Sequence, residues 1–457
     1  MKALFEPRSV AVIGASQRNK SVGYGVVKSL VSGGVFKTKY AKSFKGKIYP
    51  INPKTKNILG QKCYSDITQV SGIVDLAIIC VPAKIVLPVI KQCVKKKVKF
   101  AVIISAGFGE LGAKGKKLQE NITKVAKKGK LRVVGPNCLG IINTHHCLNA
   151  SFAPTMPPKG EVSFITQSGA LADSIIDWEV KEAYGMDKLI SLGNQSDLNI
   201  SDFLEYLGND KTTKAIAVYI EGLKDGRRFL HTAKKVVKKK PIVVIKAGRS
   251  SSGSRAVSSH TGSLAGSYKI YEAAMKQAGI EVAKNVEELF EIAKAFSMQP
   301  SCDNGIGIIT NGGGCGVLCA DACEENDIEV VPFKEKMLRK IDKKMHPAYS
   351  RHNPLDIVGD ALPERYEIAL DAVLAEPYVK GAIVIQTLQT MTDGEANAKV
   401  VIKMHRKYPK KPILCCFMGG WFSAKGIRVL EEGGIPNFED VSRAARVMKA
   451  LIGNFKR

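Results

Sequence analysis

The sequence predicts an α/β chain in three parts, a Rossmann-like domain followed by two flavodoxin-like domains. Three observations carry this. Apolar runs alternate with helical patterns through the first 150 residues. Residues 160–178 and 304–325 open alike, as strand, glycine turn and helix. Their sequels then recur in the same order. Apolar runs that do not alternate with polar residues mark strands covered on both faces, as a parallel sheet requires.

With 457 residues the chain has room for about three domains, each able to bury its own core. The formal charge of +27 is spread over lysine clusters in every part of the chain and reads as solvated helix faces. Such a field favours anionic ligands such as nucleotides, phosphate or CoA. No interleaved aromatic pattern points to a specific nucleic-acid partner. Eleven cysteines without framework spacing, several in apolar runs (Cys80, Cys415, Cys416), indicate reduced thiols and a cytoplasmic location. Cys315, Cys319 and Cys323 fall on one helix face and read as packed thiols rather than a metal site. The first residues carry too short an apolar run for a signal peptide, and no stretch approaches the roughly 18 apolar residues of a membrane helix.

The first domain, 1–150, offers five strand ends: "SVAVIGAS", "GKIYPINP", "VDLAIICVP", "FAVIISAGFGE" and "LRVVGPNCLG". Ligands of open α/β sheets gather at such ends. The candidate contacts are Gly14, Ala15, Ser16, Ser21 and Gly23 in the first turn, then Asn52, Pro53 and Lys54 after the second strand. Val81 and Pro82, Ser105, Ala106 and Gly107, and Asn137 and Cys138 follow at the later ends. The first turn can present N–H groups to a pyrophosphate, yet it is not the G-x-G-x-x-G fingerprint, because position 16 is Ser16. The second strand ends on Asn52 and Lys54 instead of an acidic residue. The loop before it carries Lys37, Lys39, Lys42, Lys45 and Lys47. A nucleotide with an extra ribose phosphate suits this, which leaves CoA and NADP open.

A proline-rich stretch, 153–160, reads as a linker to the second domain, 151–300, and the third spans 301–457. Asn194 and Asp197 resemble Asn353 and Asp356, "KAIAVYIEGL" resembles "KGAIVIQTLQ", and "KKKPIVVIKAG" resembles "PKKPILCCFMGG". The turns holding Gln167, Ser168 and Gly169, and Asn311, Gly312, Gly313 and Gly314, each offer N–H groups at a helix start. There the helix carries about half a positive charge, so both turns are phosphate candidates. Only the second domain carries Glu221 at a strand end and His260 in the Ser/Gly-rich stretch 246–266. That stretch reads as a mobile loop carrying phosphate on an imidazole. A carboxylate such as Glu221 would hold the other ring N–H of a nucleophilic histidine and stabilise its charged product.

In their order along almost the whole chain, "VAVIGAS", "YPINP", "SAGFGE", "GPNCLG", "TQSGAL", "LGNQSDLN", "YIEG", "SSHTGSLAG", "TNGGGCGV", "NPLDI" and "GIPNFEDVSRAARVMKAL" resemble the α subunit of ADP-forming acyl-CoA synthetases, in the succinyl-CoA synthetase superfamily. The lysine-rich insertion at 37–47 departs from that pattern. The resemblance implies a CoA-binding first domain and two succinyl-CoA synthetase-like domains after it. It implies that acyl-CoA, acetyl-CoA by default, reacts reversibly with phosphate and ADP through an acyl phosphate and a phosphohistidine. His260 and Glu221 would be the catalytic pair. No stretch resembles the ATP-grasp module, so ADP or ATP with Mg2+ is expected on a separate β chain in an α2β2 assembly. The rivals are a CoA-sensing module without activity and an NADP-linked oxidoreductase.

Overall fold

The computed structural model describes residues 1–182, 184–261 and 267–455, and for 182, 258–261 and 455 the backbone alone. The chain divides into two compact units, Met1–Val282 and Ala283–Arg457. No described helix is long and apolar enough to cross a membrane.

The first unit opens with β1 (Ser9–Ile13), α1 (Val22–Ser32), β2 (Lys47–Ile51), β3 (Leu76–Ile79), α2 (Ala83–Lys95), β4 (Phe100–Ile103), α3 (Ala113–Lys128) and β5 (Arg132–Val134). The strands form one parallel sheet in the order β2-β1-β3-β4-β5. Every residue of β1 is buried, because the sheet has a core on each face. Ala11 and Ile13 face the core that holds Val86, Ile90 and Ile122 of α2 and α3, while Val10 and Val12 face the one that holds Val26, Val27 and Leu30 of α1.

That second core runs on into the next sheet, through Ile141, Ile165, Ile190 and Ile216, and so joins the two sheets into one unit. Here β6 (Gly140–Asn143), β7 (Leu148–Ser151), β8 (Lys159–Thr166), α4 (Gly169–Glu182), β9 (Met186–Ser191), α5 (Ile200–Asn209), β10 (Ala215–Ile220), α6 (Gly226–Val236), β11 (Ile242–Lys246), α7 (Ser251–Thr261), α8 (Tyr268–Gln277) and β12 (Glu281–Val282) follow. The strand order is β12-β11-β10-β8-β9-β6-β7, parallel from β12 to β9, with β6 and β7 added antiparallel. Two strands within 140–151, almost all of it read with the first domain, thus belong to the second sheet. The stretch read as a linker is partly core, since Ala153 and Met156 are buried.

The second unit contains α9 (Val286–Met298), β13 (Ile306–Thr310), α10 (Gly313–Glu325), β14 (Leu355–Asp356), α11 (Pro363–Ala375), β15 (Gly381–Gln386), α12 (Gly394–Lys407), β16 (Ile413–Phe417), α13 (Ala424–Glu432) and α14 (Val441–Phe455). Its parallel order β14-β13-β15-β16 repeats β9-β8-β10-β11 of the first unit. The duplication read from four sequence blocks is therefore a duplication of topology. Helix α9, read with the second domain, packs in the second unit, where Lys294 pairs with Glu431 and Arg443 with Glu287 at 2.9 Å. Cys319 and Cys323 are buried on α10, and Cys315 is partly covered.

Candidate functional site

In each sheet the strand order reverses beside the first strand of the fold, the place where open α/β sheets take their ligands. In the first sheet it lies between β1 and β3. Gly14 has φ +89°, and a Cβ there would come within 2.7 Å of the Cys80 carbonyl oxygen. Gly23 lets the start of α1 press on the same turn, since its Cβ would stand 2.0 Å from the Gly14 oxygen. Only glycine permits either approach. Ser21 caps α1 by accepting from the Tyr24 amide, and the Asn52 Nδ2 donates to the Ala15 carbonyl at 2.6 Å.

Above these turns lies a cleft of about 1260 Å³. Of the expected contacts, Gly14, Ala15, Ser16, Ser21 and Gly23 line it on one side, with Asn52 and Lys54 beside them. Val81, Pro82, Ser105, Ala106, Asn137 and Cys138 complete its strand-end wall. Pro53 and Gly107 are not among the lining residues. The Gly107 amide instead donates to Glu110 Oε1 at 2.6 Å, and Asn194 donates to Glu110 Oε2 at 2.6 Å. Burial opposes ionisation of Glu110, yet these donors hold its carboxyl below the usual range. The "SAGFGE" loop is thus locked from behind, with Ser105 and Ala106 facing the cleft.

The cations at the cleft are Arg18, Lys20 and Lys54. The five lysines between 37 and 47, expected to serve an extra ribose phosphate, are not among its walls. Arg18 and Lys20 were legible as the basic pair just past the first turn, and the reading passed over them. It also missed Asp173. That residue sits four positions beyond Gly169, one helical turn on, and therefore on the face of α4 that meets the cleft. Burial pushes its carboxyl up to about 6, and Oδ1 has no hydrogen-bond partner among the described residues. The cleft thiols are not nucleophiles. Burial pushes Cys138 up to about 12 and Cys80 higher still, so neither is a thiolate at neutral pH.

The cleft continues onto the second sheet through Gln167, Ser168 and Gly169 at the end of β8. Gln167 does not hold its side chain free for a ligand. Its Oε1 accepts the Glu221 amide at 2.5 Å and the Gly222 amide at 3.1 Å, while Nε2 donates to the Gly222 carbonyl at 3.0 Å. Thr166 Oγ1 accepts the Ser168 amide, and Ser168 Oγ accepts the Leu171 amide in the first turn of α4. Glu221 thus stands at the end of β10, beside the reversal of strand order, and is 8% exposed. Its carboxylate is hydrogen-bonded to Tyr219. Burial and that carboxylate together push the phenol up to about 12.

The stretch 246–266 differs from its reading as a loop. Residues Ser251–Thr261 form α7, because Ser250 caps it by accepting the Gly253 amide at 3.0 Å and the small residues that follow do not oppose a helix. The backbone of His260 lies in the last turn of α7, and its side chain is outside the described residues.

The second unit repeats the clamp. Asn311 Oδ1 accepts the Thr387 amide at 2.7 Å and Nδ2 donates to the Thr387 carbonyl at 3.0 Å, as Gln167 does with 221 and 222. Thr310 Oγ1 accepts the Gly312 amide as Thr166 accepts that of Ser168. Gly312 precedes α10, and Gly313 and Gly314 begin it, where first-turn amides have no intrahelical acceptor. Asn353 and Asp356 do not copy Asn194 and Asp197. Asn353 ties β13 to the loop beyond α10, whereas Asp197 accepts from Arg132 and the Val133 amide.

Three family models match the chain: CoA binding domain over 8–144, Succinyl-CoA ligase like flavodoxin domain over 159–296, and Ligase-CoA domain over 306–452. The chain is 42% identical to the ADP-forming acetate–CoA ligase II subunit alpha of Pyrococcus furiosus, over 99% of this chain and 97% of that one. It is 46% identical to the ADP-forming acetate–CoA ligase of Methanocaldococcus jannaschii, over 99% of its own length but only 63% of that longer protein. Among solved structures, the dinucleotide-forming acetyl-coenzyme A synthetase 1 of Ca. Korarchaeum cryptofilum in complex with phosphate and ADP is similar. Its TM-score is 0.92 at 37% identity, covering 100% of this chain and 97% of that one.

Proposed function

The chain belongs to the family of ADP-forming acyl-CoA synthetase α subunits, and from that premise we propose that it converts acyl-CoA, ADP and phosphate reversibly into acid, CoA and ATP together with a nucleotide-holding partner. One observation supports this reading most. Gln167 lines the cleft and also holds the Glu221 amide, so the ligand cleft of the first sheet and the carboxylate of the second meet at one side chain.

Acyl-CoA lies in the cleft, with its phosphates near Arg18, Lys20 and Lys54 and its thioester toward the start of α4. A phosphate oxygen attacks the thioester carbonyl. The C–O bond forms, the C–S bond breaks, and CoA leaves as the thiol to give an acyl phosphate. An imidazole nitrogen of His260 then attacks phosphorus, releasing the carboxylic acid. Glu221 takes the other ring N–H and stabilises the positive phosphoimidazole. The amides at the start of α4 offer phosphate donors, and the turn of Gly312, Gly313 and Gly314 is proposed as the phosphate turn of the second unit by itself. ADP with its Mg2+ is held by an ATP-grasp β chain in an α2β2 assembly, and the phosphoryl group passes there. Acetyl is the proposed acyl group and the cytoplasm the proposed location. The chain's domains are proposed to run 1–150, 151–300 and 301–457 as read from the sequence, save that β6 and β7 pair into the second sheet and α9 packs in the second unit.

Membership in a ligase family over nearly the whole length disfavours both the NADP-linked oxidoreductase and the silent CoA sensor. The test is labelling. Incubation with acetyl-CoA and radioactive phosphate is expected to give an acid-labile, base-stable label that His260→Ala abolishes. A label of wild-type amount in that variant would overturn the assignment.

A further inference from the structure

Cleavage of a thioester by phosphate needs a proton carrier. Phosphate arrives as an anion that still bears a P–OH, whereas CoA leaves as a thiol, so one proton must cross from a phosphate oxygen to sulfur. Without it the leaving group is a thiolate, and an ordinary thiol, with a pKa of about 8.5, keeps its proton at neutral pH. Glu221 and His260 are assigned to the later transfer. The carrier is therefore to be found in the cleft, where the side chains that titrate along the described lining are Arg18, Lys20, Lys54, Cys80, Cys138 and Asp173. Guanidinium and ammonium groups suit the binding of anions rather than the exchange of a proton near pH 7. Burial keeps both thiols protonated. Asp173 is left, the only carboxyl among the described lining residues.

Its place fits the task. Asp173 lies one helical turn beyond Gly169, on the same face of α4 as the turn whose amides are the proposed phosphate donors. A Cβ on Gly169 would lie 3.5 Å from that of Leu139, so the start of α4 presses directly on the strand-end wall of the cleft. A carboxylate kept for structure is held by donors, as Glu110 is by the Gly107 amide and Asn194, and Asp210 by Lys188 and the Thr213 amide. Asp173 differs. Its Oδ1 is buried and has no hydrogen-bond partner among the described residues, which is costly unless a ligand supplies the donor. Burial also raises this carboxyl to about 6, close to neutral pH, where one group can both take and return a proton.

We propose that Asp173 is a catalytic residue of the first step, carrying the proton from phosphate to the sulfur of CoA. This rests on the acyl-phosphate route given above. As an unprotonated phosphate oxygen attacks the carbonyl carbon, the C–O bond forms, the carbonyl pair moves onto oxygen, and the P–OH passes its proton to the Asp173 carboxylate. When the adduct collapses the C–S bond breaks, its electron pair goes to sulfur, and Asp173 protonates that sulfur. Acyl phosphate and the CoA thiol result, and the carboxylate is restored. In the reverse direction the same group takes the proton of the thiol.

The experiment is single-turnover labelling of His260 at pH 7 by the full chain with its partner, from two phosphoryl donors. Saturating acetyl-CoA with radioactive phosphate requires the proton step, whereas acetyl phosphate labelled at phosphorus enters after it. Asp173→Asn is expected to slow labelling from acetyl-CoA by about a hundredfold, while labelling from acetyl phosphate stays within about twofold of wild type and CoA affinity is not weakened. Asp173→Glu is expected to recover part of the rate. Wild-type labelling from acetyl-CoA in Asp173→Asn would overturn the proposal. Equal slowing from both donors would overturn it too, because Asp173 would then serve the phosphate site as a whole. A wild-type protein that labels from acetyl-CoA but not from acetyl phosphate removes the acyl phosphate, and this proposal with it, while His260 stands. Labelling from neither donor removes the proposed function itself. Should Asp173→Asn misfold by circular dichroism, Asp173→Ser is read in the same two arms.

Discussion

Among single residues, Asp173 shows how a cleft proposed to hold an anion can still contain an acid. Its neighbours across the cleft include Arg18, Lys20 and Lys54, yet its own Oδ1 has no partner among the described residues. Burial has raised its carboxyl to about 6, so it is mostly ionised at pH 7 and mostly neutral at pH 5. Neutralising it removes one negative charge from the cleft and favours a polyanionic ligand. CoA affinity is therefore expected to rise as pH falls through about 6. The phosphate groups of CoA titrate over a similar range, so the measurement that isolates Asp173 is calorimetric affinity of wild type against Asp173→Asn between pH 5 and 8. The variant should bind more tightly at pH 8 and converge with wild type at pH 5. Parallel curves would show that the carboxyl does not face the ligand.

At the scale of elements, the amide side chains that close the strand-order reversals hold β8 to β10 and β13 to β15. Gln167→Ala leaves the Glu221 and Gly222 amides without their acceptor, and losing buried partners of this kind costs about 1–3 kcal/mol each. Lower stability in urea and a slower His260 label should appear together, while unchanged labelling would separate the clamp from the carboxylate it carries. At the opposite end of β9 the first unit is held by a buried charge network in which Lys188 contacts Asp187 at 3.0 Å and Asp210 at 2.8 Å. Burial alone would raise Asp210, but the Lys188 ammonium, the Thr212 hydroxyl and the Thr213 amide hold its carboxyl well below the ordinary range. A depressed folded value means the stabilisation is complete above the unfolded carboxylate pKa, near about 4, and is lost as pH falls below it. The difference in melting temperature between wild type and Asp210→Asn, followed by circular dichroism, is expected to be level from pH 7 to about 5 and to shrink below about 4. Neither device was legible in the sequence. Repeated strands, helix starts and glycine turns leave a local signature, so the three sheets and most cleft residues could be read from residue order. The partner of Gln167 lies 54 positions away and that of Lys188 lies 22 away, and a side chain's distant partner has no local signature. For α7 the signal misled in the other direction, because Ser and Gly marked a loop while the Ser250 cap made a helix.

At the scale of the whole molecule, the two units share an order of four parallel strands, and the proposed chemistry falls unequally between them. The first keeps the cleft, Glu221 and the His260 segment. The second repeats the strand order and the amide clamp, but ends β15 on Gln386 and Thr387, where the first has Ile220 and Glu221. On the proposed roles, a duplicated half without the carboxylate keeps the amides of its glycine turn for a phosphate but has no partner for an imidazole. The Methanocaldococcus jannaschii relative is longer, this chain spanning 63% of it, and the Pyrococcus furiosus relative of matching length is named as a subunit. The half-reaction and the full reaction should therefore separate. The isolated chain is expected to exchange label between acetyl-CoA, phosphate and His260, because cleft, carboxylate and histidine lie on one polypeptide. It is expected not to release ATP from ADP until an ATP-grasp chain is added, at which point turnover should appear and the histidine label should chase into nucleotide. Steady ATP formation by the purified chain alone would mean that it grips ADP itself. A chain that fails even to label would mean that the partner completes the phosphate site as well as receiving its product.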